Sequence, residues 1–332
     1  MNWLITTDLH LSDRPRDQYR FGLFQWIARQ QRKHNIDATF LLGDLTENKD
    51  RHSSTLVNKI IEHLLILKPP IYILRGNHDG IDPTSPFFKF LNCIDGLEFV
   101  CDPVFNKDLS VAFIPHCKDQ AYLATACAWM PPKPKAIMLH NTFEGAFGEG
   151  AAKHPLPGLS AAPIEALKPR LGAYSGDVHA PQRHGCVTYI GSPFQVRFGD
   201  DFEPRVLLID QGGEKDLHFS CPRKWSLTVC DADDILNNEG LQSGDQVKLT
   251  IALAREEAVE WKDHKQRILA ACKTRGLDVY GVDIEIKTAK RRERVKLNEA
   301  QIKTPSEIVA SFCKAENTPS NIKQAGLELL GE

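Results

Sequence analysis

The chain has no CxxC pair among its nine cysteines, which stand at 93, 101, 117, 127, 186, 221, 230, 272 and 313. The spacing and the odd number speak against a disulfide framework or a cysteine-rich zinc site, and reduced thiols in a cytoplasm are the simple reading. No run approaches the roughly 18 apolar residues that a membrane span needs. The opening MNWLITTDLHL lacks a basic segment, and Asp8 and His10 interrupt its apolar stretch, so it does not read as a secretory signal. An excess of one charge is missing too: 41 Lys plus Arg face 43 Asp plus Glu, for a net charge of −2. A globally basic nucleic-acid binder is thereby excluded, and any such contact must come from local clusters. What is present, 332 residues of which 42% are hydrophobic and 25% charged, suffices for one large globular domain plus smaller ones.

Short β-rich runs alternate with helical patterns over the first two thirds. Residues 2–6, 38–42 and 71–74 read as strands, and residues 17–33 and 53–67 carry apolar residues at helical spacing. Further strands are expected at 110–114, 136–139, 171–175, 186–190 and 205–209, which together suggest sheets flanked by helices. The texture changes near Gly212-Gly213, and a small α+β domain is expected at 222–288, with strands at 226–230, 246–253 and 277–287 around a helix at about 254–275. A basic linker follows at 289–303. Thr304-Pro305-Ser306-Glu307 then has the cap, first-turn proline and third-position acid of a helix start, and Thr318-Pro319 repeats the signal, predicting a helical pair over 304–331.

Five short motifs each follow a predicted strand: Asp8-x-His10, Gly43-Asp44, Gly76-Asn77-His78-Asp79, His140-Asn141 and Gly176-Asp177-Val178-His179. Taken singly, each has a plain structural reading, as a turn, a surface pair or a satisfied core histidine. Taken in order, they place carboxylate, imidazole and amide oxygen at the C-terminal ends of strands, where α/β sheets build their sites. Two divalent ions close together repel, so a carboxylate must bridge them, and Asp44 in a tight turn suits that role. Such a pair can share a hydroxide and hold the attacking and leaving oxygens of a phosphoester. Ligation without thiolates favours Mn²⁺ or Mg²⁺.

The ordered set resembles the calcineurin-like metallophosphoesterase superfamily, whose pattern is D-x-H, G-D, G-N-H-[DE], H and G-H-x-H. The stretch from Tyr189 through Gly191-Ser192-Pro193 to Arg205 resembles that of SbcD-type DNA-repair exonuclease subunits, phage-encoded ones in particular. The resemblance implies a four-layer αββα sandwich over 1–215, a capping domain over 222–288 and a C-terminal helical pair. It implies one metal held by Asp8, His10, Asp44 and His179, and a second held by Asp44, Asn77, His140 and Asp177. His78 would stabilise the transition state or protonate the leaving 3′ oxygen, and Asp79 would orient His78. The implied activity is exo- or endonucleolytic hydrolysis of DNA by a hydroxide shared between two metal ions, Mn²⁺ before Mg²⁺. The implied assembly is a homodimer whose tail helices grip the coiled-coil base of an SbcC-type ATPase.

Two positions depart from the pattern. Asp177 stands where a neutral His is usual, adding a third carboxylate to Asp8 and Asp44 and so predicting tighter metal binding with weaker Lewis acidity. Glu47 stands where these nucleases often carry a phosphate-seating His, and it would repel phosphate unless an arginine neutralises it. Arg197 and Arg205 are candidate contacts to the DNA backbone, as is the tract Lys290, Arg291, Arg292, Arg294 and Lys296. For Arg205 the competing expectation is an ion pair with Asp200, Asp201 or Glu203, and for the tract a solvated linker. A stand-alone phosphatase or phosphodiesterase acting on small phosphoesters is the alternative function. A non-catalytic scaffold would need a broken ligand set, and every ligand position here holds a competent residue.

Overall fold

The computed structural model describes residues 1–82, 85–148 and 154–287, together with Cys313 and Gln324. The expected linker at 289–303 and helical pair at 304–331 lie outside the described residues, those two positions apart.

The chain opens with β1 (Trp3–Thr6), α1 (Gly22–Lys33), β2 (Ala38–Leu41), α2 (Ser54–Leu64), β3 (Ile71–Leu74) and β4 (Leu97–Val100). The middle supplies β5 (Val104–Asn106), β6 (Val111–Ile114), α3 (Gln120–Ala128), β7 (Ala136–Leu139), α4 (Ala162–Leu167) and β8 (Gly172–Ser175). β9 (Gln182–His184), β10 (Val187–Tyr189), β11 (Val206–Asp210) and β12 (Gly213–Leu217) follow. The first sheet has the order β12-β11-β1-β2-β3-β4 and the second β5-β6-β7-β8-β10-β9. β1 to β4 run parallel, as do β6, β7, β8 and β10, while antiparallel strands flank each parallel set.

Alternation along each strand builds three apolar layers, because successive side chains leave opposite faces of a sheet. Trp3 and Ile5 of β1 face a core shared with Tyr72, Val111, Phe113 and Met138, whereas Leu4 faces a core shared with Leu23, Phe24, Ile27 and Ile60 of α1 and α2. In the second sheet Ala112, Ile114, Ile137 and Leu139 turn outward to Leu123 and Ile164 of α3 and α4. The molecule is therefore helices, sheet, sheet, helices. An aromatic run fills the middle layer: Trp3 meets Phe40 edge-on at 5.2 Å, Phe40 stacks on Tyr72 at 5.4 Å, and Tyr72 stacks on Phe113 at 5.3 Å. With both faces buried, these strands read as unbroken apolar runs.

The change of texture at Gly212-Gly213 is a hairpin that joins β11 to the exposed edge strand β12. Beyond it lie β13 (Lys224–Val229), α5 (Asp233–Leu236), β14 (Gln246–Ala254), α6 (Trp261–Thr274) and β15 (Asp278–Lys287), with the three strands in one sheet. By contacts, Met1–Ile251 and Lys262–Ile284 form one compact unit, so the expected boundary at 215–222 falls inside it. Within that unit Gln246 donates to the Arg16 carbonyl at 2.7 Å, and Arg16 pairs with Asp278 at 3.2 Å. The second unit takes Ala252–Trp261 and the chain from Glu285 on; Glu257, the first residue of its 3₁₀ turn Glu257–Glu260, accepts from the Ala254 N–H at 2.9 Å. Among the described residues no helix is long and apolar enough to cross a membrane.

Candidate metal centre

The five motifs sit in the loops that leave the C-terminal ends of β1, β2, β3, β7 and β8, three strands from one sheet and two from the other. The β1 and β2 loops continue to pair past their strands: the N–H groups of Asp8, His10 and Leu11 donate to the carbonyls of Gly43, Asp44 and Leu45 at 3.0–3.1 Å. Eight described non-glycine residues have positive φ, and four of them are Asp8, His10, Asp44 and Asp177. Left-handed backbone is costly for such residues unless the surroundings enforce it, and it concentrates at functional sites. Glycine is required beside them for room as well. A Cβ at Gly43, itself at φ +95°, or at Gly176 would collide with the His140 ring.

Among the described residues three overlapping groups of ligand atoms each lie within 4.8 Å: Asp8, His10 and His179; His10, Asp44 and His78; and Asp8, Asp44 and His140. Asp44 faces both ways. Its Oδ2 is 3.7 Å from His10 Nε2 and its Oδ1 is 3.3 Å from His140 Nε2. Around His140 Nε2 also lie Asn77 Oδ1 at 3.2 Å, Asp177 Oδ1 at 3.9 Å and Asp8 Oδ1 at 4.0 Å. On the other side His10 Nε2 and His179 Nε2 are 3.2 Å apart. All seven residues expected as metal ligands are thus brought together.

Three of the histidines turn Nδ1 toward an oxygen of the β2 loop. His140 gives its Nδ1 to the Leu42 carbonyl, His78 gives its Nδ1 to the Glu47 carbonyl at 2.7 Å, and His10 Nδ1 lies 3.2 Å from Glu47 Oε2. A carbonyl can only accept, so in His140 and His78 the Nδ1 carries the proton. That fixes the tautomer and leaves Nε2 for a metal or a substrate.

The electrostatics call for cations. Burial, with the nearby charges of Asp44 and Asp177, pushes Asp8 up to about 7, although His140 and His10 pull the other way. Burial opposes charge on His140, yet Asp44, Asp8 and Asp177 raise it well above the usual imidazole range. Burial and the neighbouring charges of His10 and Arg197 bring His179 down to about 3. Asp8 Oδ2 is fully buried with no hydrogen-bond partner. Asn77 Oδ1 faces both Asp44 oxygens at 2.8 Å, an approach of acceptor to acceptor that a cation between them relieves; with the amide reversed, its NH₂ donates to both instead. An orphaned buried carboxylate oxygen and a ring of oxygen and imidazole donors fit divalent metal ions.

Three expected roles change. Asp79 does not orient His78: its carboxylate accepts from the N–H groups of Gly76 at 2.7 Å and of Asp44 and Leu45 at 2.9 Å, clamping the β2 loop to the β3 loop. Burial and the charge of Asp44 raise it to about 6. Glu47 faces His10, and His10, Arg20 and Arg14 hold its carboxyl down to about 2 against burial, so it stays ionised beside arginines that offset its charge toward phosphate. Arg205 donates to the carbonyls of Tyr189 and Ile190 and to Asp216, each at 2.9 Å, so its partner is none of the three acids expected and its guanidinium serves the fold.

Arg197 lies on the walls of two cavities that flank the cluster. One, of about 410 Å³, is lined by Asp44, Asn77, His78, Asp177 and His179, and also by His154, which the sequence reading passed over because nothing around that lone histidine repeats a ligand spacing. The other, of about 490 Å³, shares His10, His78 and Arg197 and is otherwise cationic, with Arg14, Arg16, Arg20 and Lys224 against Asp17 and Glu47. These cations come from the turn after Asp8-x-His10 and from the start of β13. The three arginines are interrupted by Pro15 and Asp17 and Lys224 is some two hundred residues away, so no basic run announced them.

Residues 1–125 match the family model for the Calcineurin-like phosphoesterase, a span that holds the first three ligand loops. Sixty solved chains show some likeness to this one. One is the structure of a novel archaeal phosphodiesterase, 13% identical over 66% of this chain and 100% of its own length, with a TM-score of 0.37, a likeness too slight to argue from. No curated protein matches.

Proposed function

We propose that the chain is a metal-dependent phosphodiesterase acting on DNA, a nuclease subunit of the SbcD type. The observation that carries this reading is the convergence of seven metal-competent side chains from five strand-end loops onto one cluster bordered by an arginine. Asp8, His10, Asp44 and His179 would hold one divalent ion, and Asn77, His140 and Asp177 would share Asp44 to hold another, with Mn²⁺ favoured over Mg²⁺. When bound, the ions supply the positive charge that offsets the charge developing on a phosphoryl group and its leaving oxygen. His78, whose Nδ1–H is committed to the Glu47 carbonyl, keeps Nε2 for the cavities it lines; doubly protonated, it would pass the Nε2 proton to the leaving oxygen and be left as the neutral Nδ1–H tautomer. Arg197, on the wall of both cavities, supplies a fixed cation to a phosphate oxygen.

The same reading includes assembly. A dimer of this chain would present its tail, residues 304–331, to an SbcC-type ATPase, the basic stretch before it acting as a tether. The test compares wild type with His78→Ala on end-labelled single- and double-stranded DNA in Mn²⁺, alongside bis(p-nitrophenyl) phosphate. DNA cleavage that the variant loses supports the nuclease. Activity confined to the small ester supports a stand-alone phosphodiesterase instead.

A further inference from the structure

Apart from His10, Glu47 and His78, the cationic cavity next to the ligand cluster is lined by residues outside the ligand set, yet it is built. Arg20 is buried, donates to the His10 carbonyl, pairs with Asp17 at 3.3 Å and lies 5.0 Å over the Phe194 ring. Lys224 is buried, donates to the Val196 carbonyl at 2.9 Å and stands 3.6 Å from Asp17. Burial and the charge of Arg20 lower the affinity of Lys224 for its proton. Of the five cations set against two carboxylates, Arg14, Arg16 and Arg197 are exposed and Arg16 pairs with Asp278, so the excess positive charge lies at the mouth of the cavity, where a phosphate can reach it.

Two aromatic rings stand on the same wall. Phe198 and Tyr280 meet at 4.7 Å, Lys224 lies 5.7 Å over Phe198 and Arg16 lies 5.2 Å over Tyr280. Tyr280 is half exposed, and among the described residues no hydrogen bond or ion pair holds the exposed Arg14 guanidinium. Positive side chains interleaved with aromatic faces suit phosphate beside a base, since every base offers a π-face to stack. A volume of about 490 Å³ lies within the range of small-molecule sites.

Resting on the diesterase reading, we infer that this cavity is a subsite for the nucleotide next to the scissile bond: Arg14 and Arg197 take its phosphate, and Tyr280 with Phe198 takes its base. Arg197 lines both cavities, so it stands between the scissile phosphate and its neighbour. The enzyme then selects a chain of at least two phosphates over a single diester.

The dinucleotide TpT and the trinucleotide TpTpT isolate this, because only TpTpT can place one diester at the metals and another in the cavity, whichever the polarity. The expected result with Mn²⁺ is a kcat/KM per bond at least about tenfold higher for TpTpT. In Arg14→Ala and in Tyr280→Ala the ratio between the two substrates falls to below about threefold, whatever either variant does to overall rate. Tyr280→Phe, which keeps the ring, retains the ratio. Equal rates in wild type, or a preference that both alanine variants keep, overturns the subsite.

If no diester is cleaved, it is the hydrolytic reading that fails, and calorimetric titration of TpTpT into the full chain decides the subsite separately. Binding that Arg14→Ala weakens sustains it, and no binding overturns it. Inorganic phosphate that competes as strongly as TpTpT reduces the cavity to an anion hole and overturns the assignment to a nucleotide.

Discussion

Two neighbouring walls of the molecule solve opposite electrostatic problems. Around Asp44, carboxylate oxygens and imidazole nitrogens gather in overlapping groups within 4.8 Å, and Asp8 keeps a buried oxygen with no hydrogen-bond partner. A few residues away, around Arg20 and Lys224, each buried cation has a backbone carbonyl and a share of Asp17. The first wall is unfinished without cations, whereas the second is internally satisfied and still positive. His10, His78 and Arg197 border both, so a phosphodiester bound at the ligand cluster would meet guanidinium on the other side. The difference shows where specificity can reside: the metal wall treats phosphates alike, and the cationic wall can distinguish what is attached to them.

Asp44→Ala breaks the metal wall most completely, because its two oxygens face His10 on one side and His140 on the other. Diester hydrolysis should fall by about 10³-fold or more, measured as initial rates at saturating Mn²⁺. His78→Ala leaves the seven expected ligands in place and should lower kcat by about 10²- to 10⁴-fold. Calorimetry should still show both Mn²⁺ sites in that variant; loss of a site would make His78 a ligand and not a proton donor.

Asp79→Ala tests the clamp that lies beneath both walls. Three N–H groups would lose their acceptor, at about 1–3 kcal/mol for each group left unsatisfied. Urea unfolding of the metal-free protein should show a fall in stability on the order of 3 kcal/mol, reduced where water reaches the freed groups. Glu47→Gln removes the charge facing His10 and keeps the shape. It should weaken Mn²⁺ binding by about 10-fold, the usual lower scale for groups that orient a ligand, with little loss of stability. The smallest effect is expected for Arg205→Ala. It loses three hydrogen bonds, partly exposed, for about 1–2 kcal/mol in urea unfolding, with the preference for TpTpT over TpT unchanged.

The metal wall was legible in the sequence because its residues are local. Each ligand pair sits within four positions of a strand end, and the strands, buried on both faces, read as apolar runs such as Ile71–Leu74 and Ala136–Leu139. The cationic wall was not legible, since Arg14, Lys224 and Tyr280 meet only through the packing of β13 and β15 against the turn after Asp8-x-His10. Within the fold, β12 went unread because Gly213-Glu-Lys-Asp-Leu217 has four exposed positions out of five and no apolar pattern. Helix α4, six residues with a proline in its first turn, is too short to show a period. The Asp79 and Glu47 roles turn on which backbone groups lie across a loop, a matter of tertiary contact that residue type leaves open.

The central claim is that the cluster is a two-ion centre held together by Asp44. Calorimetric titration of Mn²⁺ into EDTA-treated protein tests it most directly, with thermal unfolding followed in the same samples. Two bound ions are expected per chain, with stabilisation of about 2.7 kcal/mol for each site when free Mn²⁺ is a hundredfold above its Kd. In Asp44→Ala both the heat and the stabilisation should be lost. No binding, or binding that Asp44→Ala leaves intact, would contradict the account.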